Sequence, residues 1–281
     1  MKRTLNERIR HFYDQSTPLW LDTWGEHMHH GHYGDGNLLK DRHQAQIDLI
    51  QELLRWGGVS QASRVLDLGC GVGGSARYLA RTFGATVTGL TLSPVQAAEA
   101  ARYNAQAGLD NQVQVVVRDM MTLSADDGKV DLIWSMESAE HIQDKKRLFE
   151  ICYECLSPGG TLLMATWCHR PVPPALTKRE QGLLTRIFEL FHLPPMVPSA
   201  TLARLAQEAG FEQVETGDWS RAVSPFWLAV IRSALSWRSI RGLLRAGWST
   251  LKGAWAMQYM QRGFRQELIE FTVLKAHKPV I

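Results

Sequence analysis

The segment Val65-Leu66-Asp67-Leu68-Gly69-Cys70-Gly71-Val72-Gly73-Gly74 sets a carboxylate two residues ahead of a G-x-G-x-G loop. Glycines there let the backbone approach a ligand closely, and a helix starting just after them offers free amides at its N-terminus. A dinucleotide site would want G-x-G-x-x-G and an acid at the end of the second strand. The second strand here ends Gly89-Leu90-Thr91-Leu92-Ser93, with no acid. A carboxylate beside two phosphates would repel them, so Asp67 suits a ligand carrying an ammonium group. A second set of chemical side chains is the histidines: His27, His29, His30 and His32, and His141 in Glu137-Ser138-Ala139-Glu140-His141. Histidine titrates near neutrality, which makes these the candidate general bases. The carboxylates of Glu137 and Glu140 are expected to hold the His141 imidazole in one tautomer and raise its basicity. For the N-terminal cluster a pocket lid is expected rather than a metal site, because no carboxylate or cysteine partner follows at a fixed spacing. Trp20, Trp24 and Tyr33 supply flat apolar walls, with core packing the alternative.

Elements must position these residues. RVLDL at 64–68 reads as a strand running into the glycine loop, followed by a helix over 74–83 closed by Gly84. ATVTGL at 85–90 reads as a second strand, Ser93-Pro94 as an N-cap and first turn, and 94–107 as an alanine-rich helix closed by Gly108. Further strands are expected at 113–117, at 131–135 and, after a Ser157-Pro158-Gly159-Gly160 turn, at 161–167. Strands alternating with helices at this spacing imply parallel βαβ units covered on both faces, an α/β doubly wound fold. Upstream, an amphipathic helix over 37–55 should pack on this core, behind a loop rich in Trp, His and Gly at 17–36. Downstream, 179–193 and 199–209 read as helices, and 211–220 and 268–276 as strands. Nearly fifty residues separate those last two strands, and an insertion that long in a compact domain is usually functional. The expected organisation is an N-terminal helix and active-site loop (1–36), an α/β core (37–220), a helical lid insertion (221–267) and a last strand with its tail (268–281).

The run LDLGCGVGG resembles the first motif of the class I S-adenosylmethionine (SAM) methyltransferases. FYDQSTPLWLDTWGEHMHHGHY (12–33), GLTLSPVQA (89–97), WSMESAEHI (134–142), TWCHR (166–170), DWSRAVSPFW (218–227) and AGWSTLKGA (246–254) resemble the γ-tocopherol methyltransferase family, over nearly the whole chain. That family methylates a prenyl-tailed chromanol ring. The resemblance implies a Rossmann-like, seven-stranded, mostly parallel sheet, SAM as cofactor, and γ- or δ-tocopherol as acceptor in vitamin E biosynthesis. Related enzymes act on prenyl benzoquinols or alkaloid nitrogens, which stay open as alternatives. Carried onto this chain, it places Asp67, Gly69, Cys70 and Gly71 at the methionine end of SAM and Thr91, Leu92 and Gln96 at the ribose. Asp119 and Met120 fall at the adenine, Ser135 joins the cofactor site, and Tyr13 faces the sulfonium through its ring. Ser93-x-x-Gln96 reads equally as a capping box. Methyl transfer from a sulfonium is an in-line displacement that needs alignment and an activated acceptor, and no metal. Removing the neighbouring phenol proton activates a ring carbon, so His141 with Glu140, and His29 or His30, are the candidate catalytic groups. Trp24, His27, Tyr33, Glu137, Trp167, His169 and Phe226 are the expected substrate contacts.

Composition sets the frame. The 281 residues, 45% hydrophobic and 21% charged, exclude disordered, fibrous and collagen-like classes, and a net charge of +3 does not suggest nucleic-acid binding. Cys70, Cys152, Cys155 and Cys168 form no secreted disulfide framework, which favours a reducing compartment. No run reaches the length of a membrane span, and the charged N-terminus is not a secretory signal. Plant members of the family carry a transit peptide and this chain shows none, so a bacterial or cyanobacterial cytoplasmic protein, or a mature plastid form, is expected. Between Asp218 and Glu267 there is no acid, while Arg221, Arg232, Arg238, Arg241, Arg245, Lys252, Arg262 and Arg265 give +8, leaving −5 for the rest. Trp237, Ile240, Leu244 and Trp248 fall on one helical stripe there. That pattern suits an interfacial helix on an anionic membrane surface or a lid with a solvated basic face. A non-catalytic membrane-surface module is the reading from a different class, and the intact Asp67 and glycine loop argue against it.

Overall fold

Asp67 lies in β1 (Arg64–Leu68), where every residue after Arg64 is buried, so the strand that carries the acid sits in the middle of the sheet. The computed structural model describes residues 4–34, 40–227 and 256–280. Around β1 lie β2 (Thr86–Thr91), β3 (Val113–Val117), β4 (Val130–Met136), β5 (Leu156–His169), β6 (Glu212–Asp218) and β7 (Ile269–His277), in the order β3-β2-β1-β4-β5-β7-β6. β1 to β5 run parallel, and β7 is antiparallel to β5 and β6. The chain works outward from β1 to β3 and then returns to β4 on the other side. Connections diverge there, and such a switch point leaves a crevice at the carboxyl ends of the strands.

Side chains alternate across the sheet as a pleat requires: Leu163 and Ala165 of β5 enter one core, Leu162 and Met164 the other. The helices α1 (Leu5–Trp24), α2 (Arg42–Gly57), α3 (Gly74–Phe83), α4 (Pro94–Ala107), α5 (Lys145–Cys155), α6 (Lys178–Phe191), α7 (Ser199–Glu208) and the short α8 (Ser220–Val223) complete the layers, with a further helical stretch over 256–265. This is the α/β doubly wound, mostly parallel seven-stranded architecture that the alternation of strands and helices implied.

Two local readings need correction. The stretch from 17 to 24 is not loop but the last two turns of α1, despite Pro18. Thr17 and Ser16 donate their hydroxyls to the Tyr13 and Phe12 carbonyls, 2.7 and 2.8 Å away. Trp20 and Trp24, one turn apart, stack at 4.9 Å between ring centroids, so packing outweighs the broken ladder. The Ser157-Pro158-Gly159-Gly160 segment does not precede β5 but lies within it. Between Val130↔Leu156 and Leu132↔Thr161 the register shifts, so the four residues form a bulge that the 278–280 tail caps through Gly159 and Gly160. The α2 helix starts at Arg42 behind an Asp41 cap, later than position 37, and 35–39 lie outside the described residues. So do most of the basic stripe and its tryptophans, from 228 to 255.

Candidate active site

At the carboxyl ends of β1, β2 and β4 lies a cavity of about 960 Å³, counted out to its open mouth. Its floor is the β1–α3 turn. Gly69 and Gly71 hold φ of 80° and 55°, a left-handed backbone that disfavours any Cβ. The two glycines serve different ends. A Cβ on Gly69 would stand 2.3 Å from that of Ser138, so this glycine lets β1 and the turn after β4 meet; a Cβ on Gly71 would meet nothing within 4 Å and would project into open space. Asp67 is 2% exposed, borders the cavity, and its Oδ2 has no hydrogen-bond partner among the described residues. Burial with no compensating cation pushes its carboxyl up to about 7. An incoming cation would stabilise the charged form of this buried carboxylate.

Along the cavity, the Thr91 hydroxyl donates to Gln96 Oε1 at 2.7 Å, and Ser93 Oγ accepts from the Gln96 amide at 3.1 Å. Gln96 therefore makes half a capping box and turns its side chain to Thr91 instead, keeping both groups on the wall with Leu92. Asp119, just past β3, accepts from the Met121 amide at 2.9 Å and from Asn6 Nδ2 at 2.6 Å. Asn6, Ile9 and Tyr13 of α1 roof the cavity, and Ser93 Oγ donates to Asp14 at 2.5 Å, tying the same helix to the start of α4.

The far end is built from three separate stretches: α1, the 25–33 loop and the turn after β4. The Tyr13 hydroxyl meets His141 Nε2 at 2.8 Å. Burial, with Glu140 and Glu137 nearby, drives the Tyr13 hydroxyl well above its ordinary value. His141 does not have the carboxylate partners the sequence suggested. Neither carboxylate touches it, and burial with Lys145 and His192 nearby lowers it to about 4. Glu140 turns away to accept from Thr166 Oγ1 at 2.9 Å, and burial beside Glu137 pushes it up to about 8. Glu137 instead accepts from the His30 amide at 2.6 Å and meets His30 Nδ1 at 2.7 Å. His29 Nδ1 meets the His30 carbonyl at 2.8 Å, so it carries the proton; its Nε2 has no partner among the described residues, and burial takes it down to about 4. The loop is pinned by Gln46 Nε2, which donates to the carbonyls of His27 and His29, and by the Arg77–Glu26 ion pair at 2.7 Å.

Of the residues singled out from sequence, the structure brings Tyr13, Asp67, Gly69, Cys70, Gly71, Thr91, Leu92, Gln96, Asp119, Met120, His29, Glu137 and His141 to one cavity. Ser135 sits one layer back, its hydroxyl 2.9 Å from that of Ser138, and Glu140 lies behind the wall. His30 is enclosed by rings: Phe226 at 4.5 Å, Trp227 at 4.9 Å and Trp167 at 5.9 Å between centroids. Trp24, Phe226 and Trp167 thus pack around the His30 loop rather than on the cavity wall. His27 abuts Gly74, Tyr33 is fixed by its amide to Ala222, and His169 Nδ1 bonds the Arg170 carbonyl. Sequence reading missed Asn6, Ile9, Met28 and Ser138. Asn6, Ile9 and Tyr13 stand at i, i+3 and i+7 of α1, a single helical stripe, which is the signal that would have found two of them. Among the described residues, no group of three His, Cys, Asp or Glu side chains is placed to hold a metal ion, and no helix is long and apolar enough to cross a membrane.

A family model described as a methyltransferase domain matches residues 38–216. The chain is 39% identical to "Tocopherol O-methyltransferase, chloroplastic" of Arabidopsis thaliana, over 98% of this chain and 83% of that one. It is 33% identical to the 2-methyl-6-phytyl-1,4-hydroquinone methyltransferase of Synechocystis, over 94% of this chain and 80% of that one. Among solved structures, the cyclopropane synthase MmaA2 of Mycobacterium tuberculosis superposes with a TM-score of 0.83 at 20% identity, covering 97% of this chain and 98% of that one.

Proposed function

The chain belongs to the tocopherol methyltransferase family of class I SAM-dependent methyltransferases, and on that premise we propose that it methylates an aromatic ring carbon of a prenyl-tailed phenol, γ- or δ-tocopherol above all. The observation that carries this reading is the 39% identity to a tocopherol methyltransferase along 98% of the chain. SAM is the cofactor, and it supplies an electrophilic methyl group on a sulfonium. The residues at the glycine loop fit it: Asp67 offers an unpaired carboxylate to the ammonium group, and the open space over Gly71 admits the ligand against the backbone. Thr91 and Gln96 stand where the ribose would lie and Asp119 with Met120 where the adenine would lie, with α1 closing over them. That arrangement leaves Tyr13, His29, Glu137 and His141 to receive the acceptor, which supports an aromatic alcohol as substrate.

The Arabidopsis relative is named an O-methyltransferase, so the position of the new methyl group is what the experiment must resolve. Incubation with SAM and γ-tocopherol, followed by proton NMR of the product, is expected to show a new aryl-methyl signal. A methoxy signal would replace the ring-carbon reading by transfer to oxygen. A prenyl benzoquinol is the second reading, favoured by the Synechocystis relative, and the same assay with phytyl hydroquinones separates the two. The basic 221–267 stretch, most of which lies outside the described residues, is proposed to touch an anionic bilayer, from which a prenyl-tailed substrate would enter. Replacing Arg238, Arg241 and Arg245 by Glu should then weaken vesicle binding, with attraction of about 1 kcal/mol lost per residue. The proposed setting is a plastid or a bacterial or cyanobacterial cytoplasm.

A further inference from the structure

Transfer to a phenol ring needs a group to take the hydroxyl proton, and the histidines of the cavity are poorly suited to it. His29 is tied through Nδ1 to the His30 carbonyl, and His141 Nε2 already meets the Tyr13 hydroxyl. Glu140 does not border the cavity and is held by Thr166. Glu137 does border it, from the first position past β4, at the strand end beside the switch point. Its φ is 52°, a left-handed conformation that is costly for a side chain with a Cβ and is kept only where the surroundings impose it. What imposes it is visible. The Glu137 amide donates to the Ala165 carbonyl at 2.8 Å, and its two oxygens are held at 2.6 and 2.7 Å by the His30 amide and Nδ1. A carboxylate has about four lone-pair sites, and His30 takes one on each oxygen, so each keeps another. His30 in turn cannot rotate: Phe226, Trp227, Trp167, Phe264 and Phe271 enclose its ring, and its Nε2 has no partner among the described residues.

We infer that Glu137 is the proton acceptor for the substrate's hydroxyl, a catalytic residue of the proposed reaction, and that His30 is the positioning residue that aims it. This rests on the phenol reading above. The hydroxyl proton passes to a Glu137 oxygen, and the ring carbon forms its bond to the methyl carbon as the carbon–sulfur bond breaks with its electron pair left on sulfur. The ring carbon's own proton then leaves to solvent, and the oxygen recovers its proton from Glu137. One proton is released in all, and no oxidant or reductant is required. The pairing resembles other sites in which a base is oriented by a third group, with the roles of carboxylate and imidazole exchanged.

The test compares wild type, Glu137→Gln and His30→Gln on γ-tocopherol and on an analogue whose phenol is acidified by an electron-withdrawing ring substituent. Groups facing Glu137 are Tyr13 of α1, His29 and His30 of the loop, and Glu140 of the following turn. Glu137→Gln is expected to lower kcat on tocopherol by ~10²–10⁴-fold, the usual contribution of a general base. Its SAM affinity should stay within threefold of wild type. Most of the loss should be recovered on the acidified phenol, which brings its own anion. His30→Gln keeps an amide donor toward the carboxylate and should show the same recovery from a smaller loss. Equal loss on both phenols in either folded variant would overturn the assignment and leave the pair a structural brace; so would a Glu137→Gln kcat above a third of wild type. If wild type methylates an amine acceptor and no phenol, the functional reading itself falls and this inference with it, an outcome distinct from the other two.

Discussion

The two ends of the cavity are built in opposite ways. The proposed cofactor end comes from short contiguous pieces: Asp67 to Gly71 across the end of β1, Thr91 to Gln96 from the last residue of β2, and Asp119 with Met120 just past β3. The acceptor end is assembled from residues more than a hundred positions apart, Tyr13 with His141 and His30 with Glu137. At the first end one buried carboxylate oxygen is left unpaired for a ligand; at the second, side chains from separate elements bond one another, Tyr13 with His141 and His30 with Glu137, while His29 Nε2, His30 Nε2 and His141 Nδ1 have no partner among the described residues. A site that awaits a fixed cationic ligand can be written in one loop, whereas a site that must exclude water and aim a proton acceptor needs walls from several elements.

The largest effect should come from the cofactor end. Asp67→Ala removes the ammonium's partner, and truncating one side of a buried charge pair costs about 2–5 kcal/mol, so SAM affinity measured by calorimetry should fall at least thirtyfold. Unchanged affinity in a folded variant would erase the contrast between the two ends. Asp67→Asn should lose SAM in the same way while stabilising the free protein. The folded carboxyl sits at about 7 against about 4 when unfolded, so the folded state holds the extra proton between those values. Stability of the free protein therefore falls as pH rises from about 4 to about 7, by an amount on the order of 4 kcal/mol, and the amide variant escapes that loss. Thermal melts at pH 5 and pH 8 measure it, and equal wild-type melting at the two would contradict the unpaired state of Asp67.

The same group sets how binding follows pH. The ammonium needs the ionised carboxylate, so SAM affinity should weaken about tenfold per unit as pH drops below about 7, with a proton released on binding. Titrations in buffers of different ionisation enthalpy would reveal the proton. At the acceptor end, His141→Ala should lower turnover by only about tenfold, because it takes one hydrogen bond from Tyr13 and leaves Glu137 in place. A loss comparable with that of Glu137→Gln would return the role of base to His141. Smallest of all, Asn6→Ala removes one bond from α1 to Asp119, worth about 1 kcal/mol, and should quicken SAM release about fivefold in stopped-flow displacement. No change would mean that α1 stays closed through Tyr13 and Asp14 alone.

Sequence was enough for the sheet and the glycine turn, because each follows from near-neighbour chemistry, strands alternating with helices, glycine at positive φ, a cap before a helix, while the cofactor wall was implied by the family resemblance. It was also enough to mark Glu137, Glu140 and the histidines as the chemical residues of the acceptor end. It could not rank them. His29, His30 and His141 are identical side chains, and what separates them is burial and partner, which depend on how α1, the 25–33 loop and the turn after β4 close on one another. Adjacency in sequence suggested that Glu137 and Glu140 would serve His141, yet a left-handed residue and a tight turn point the three in different directions, Glu137 to His30, Glu140 to Thr166 and His141 to Tyr13. Tertiary structure alone decided those pairings, because a partner more than a hundred residues away leaves no periodicity for a local pattern to carry.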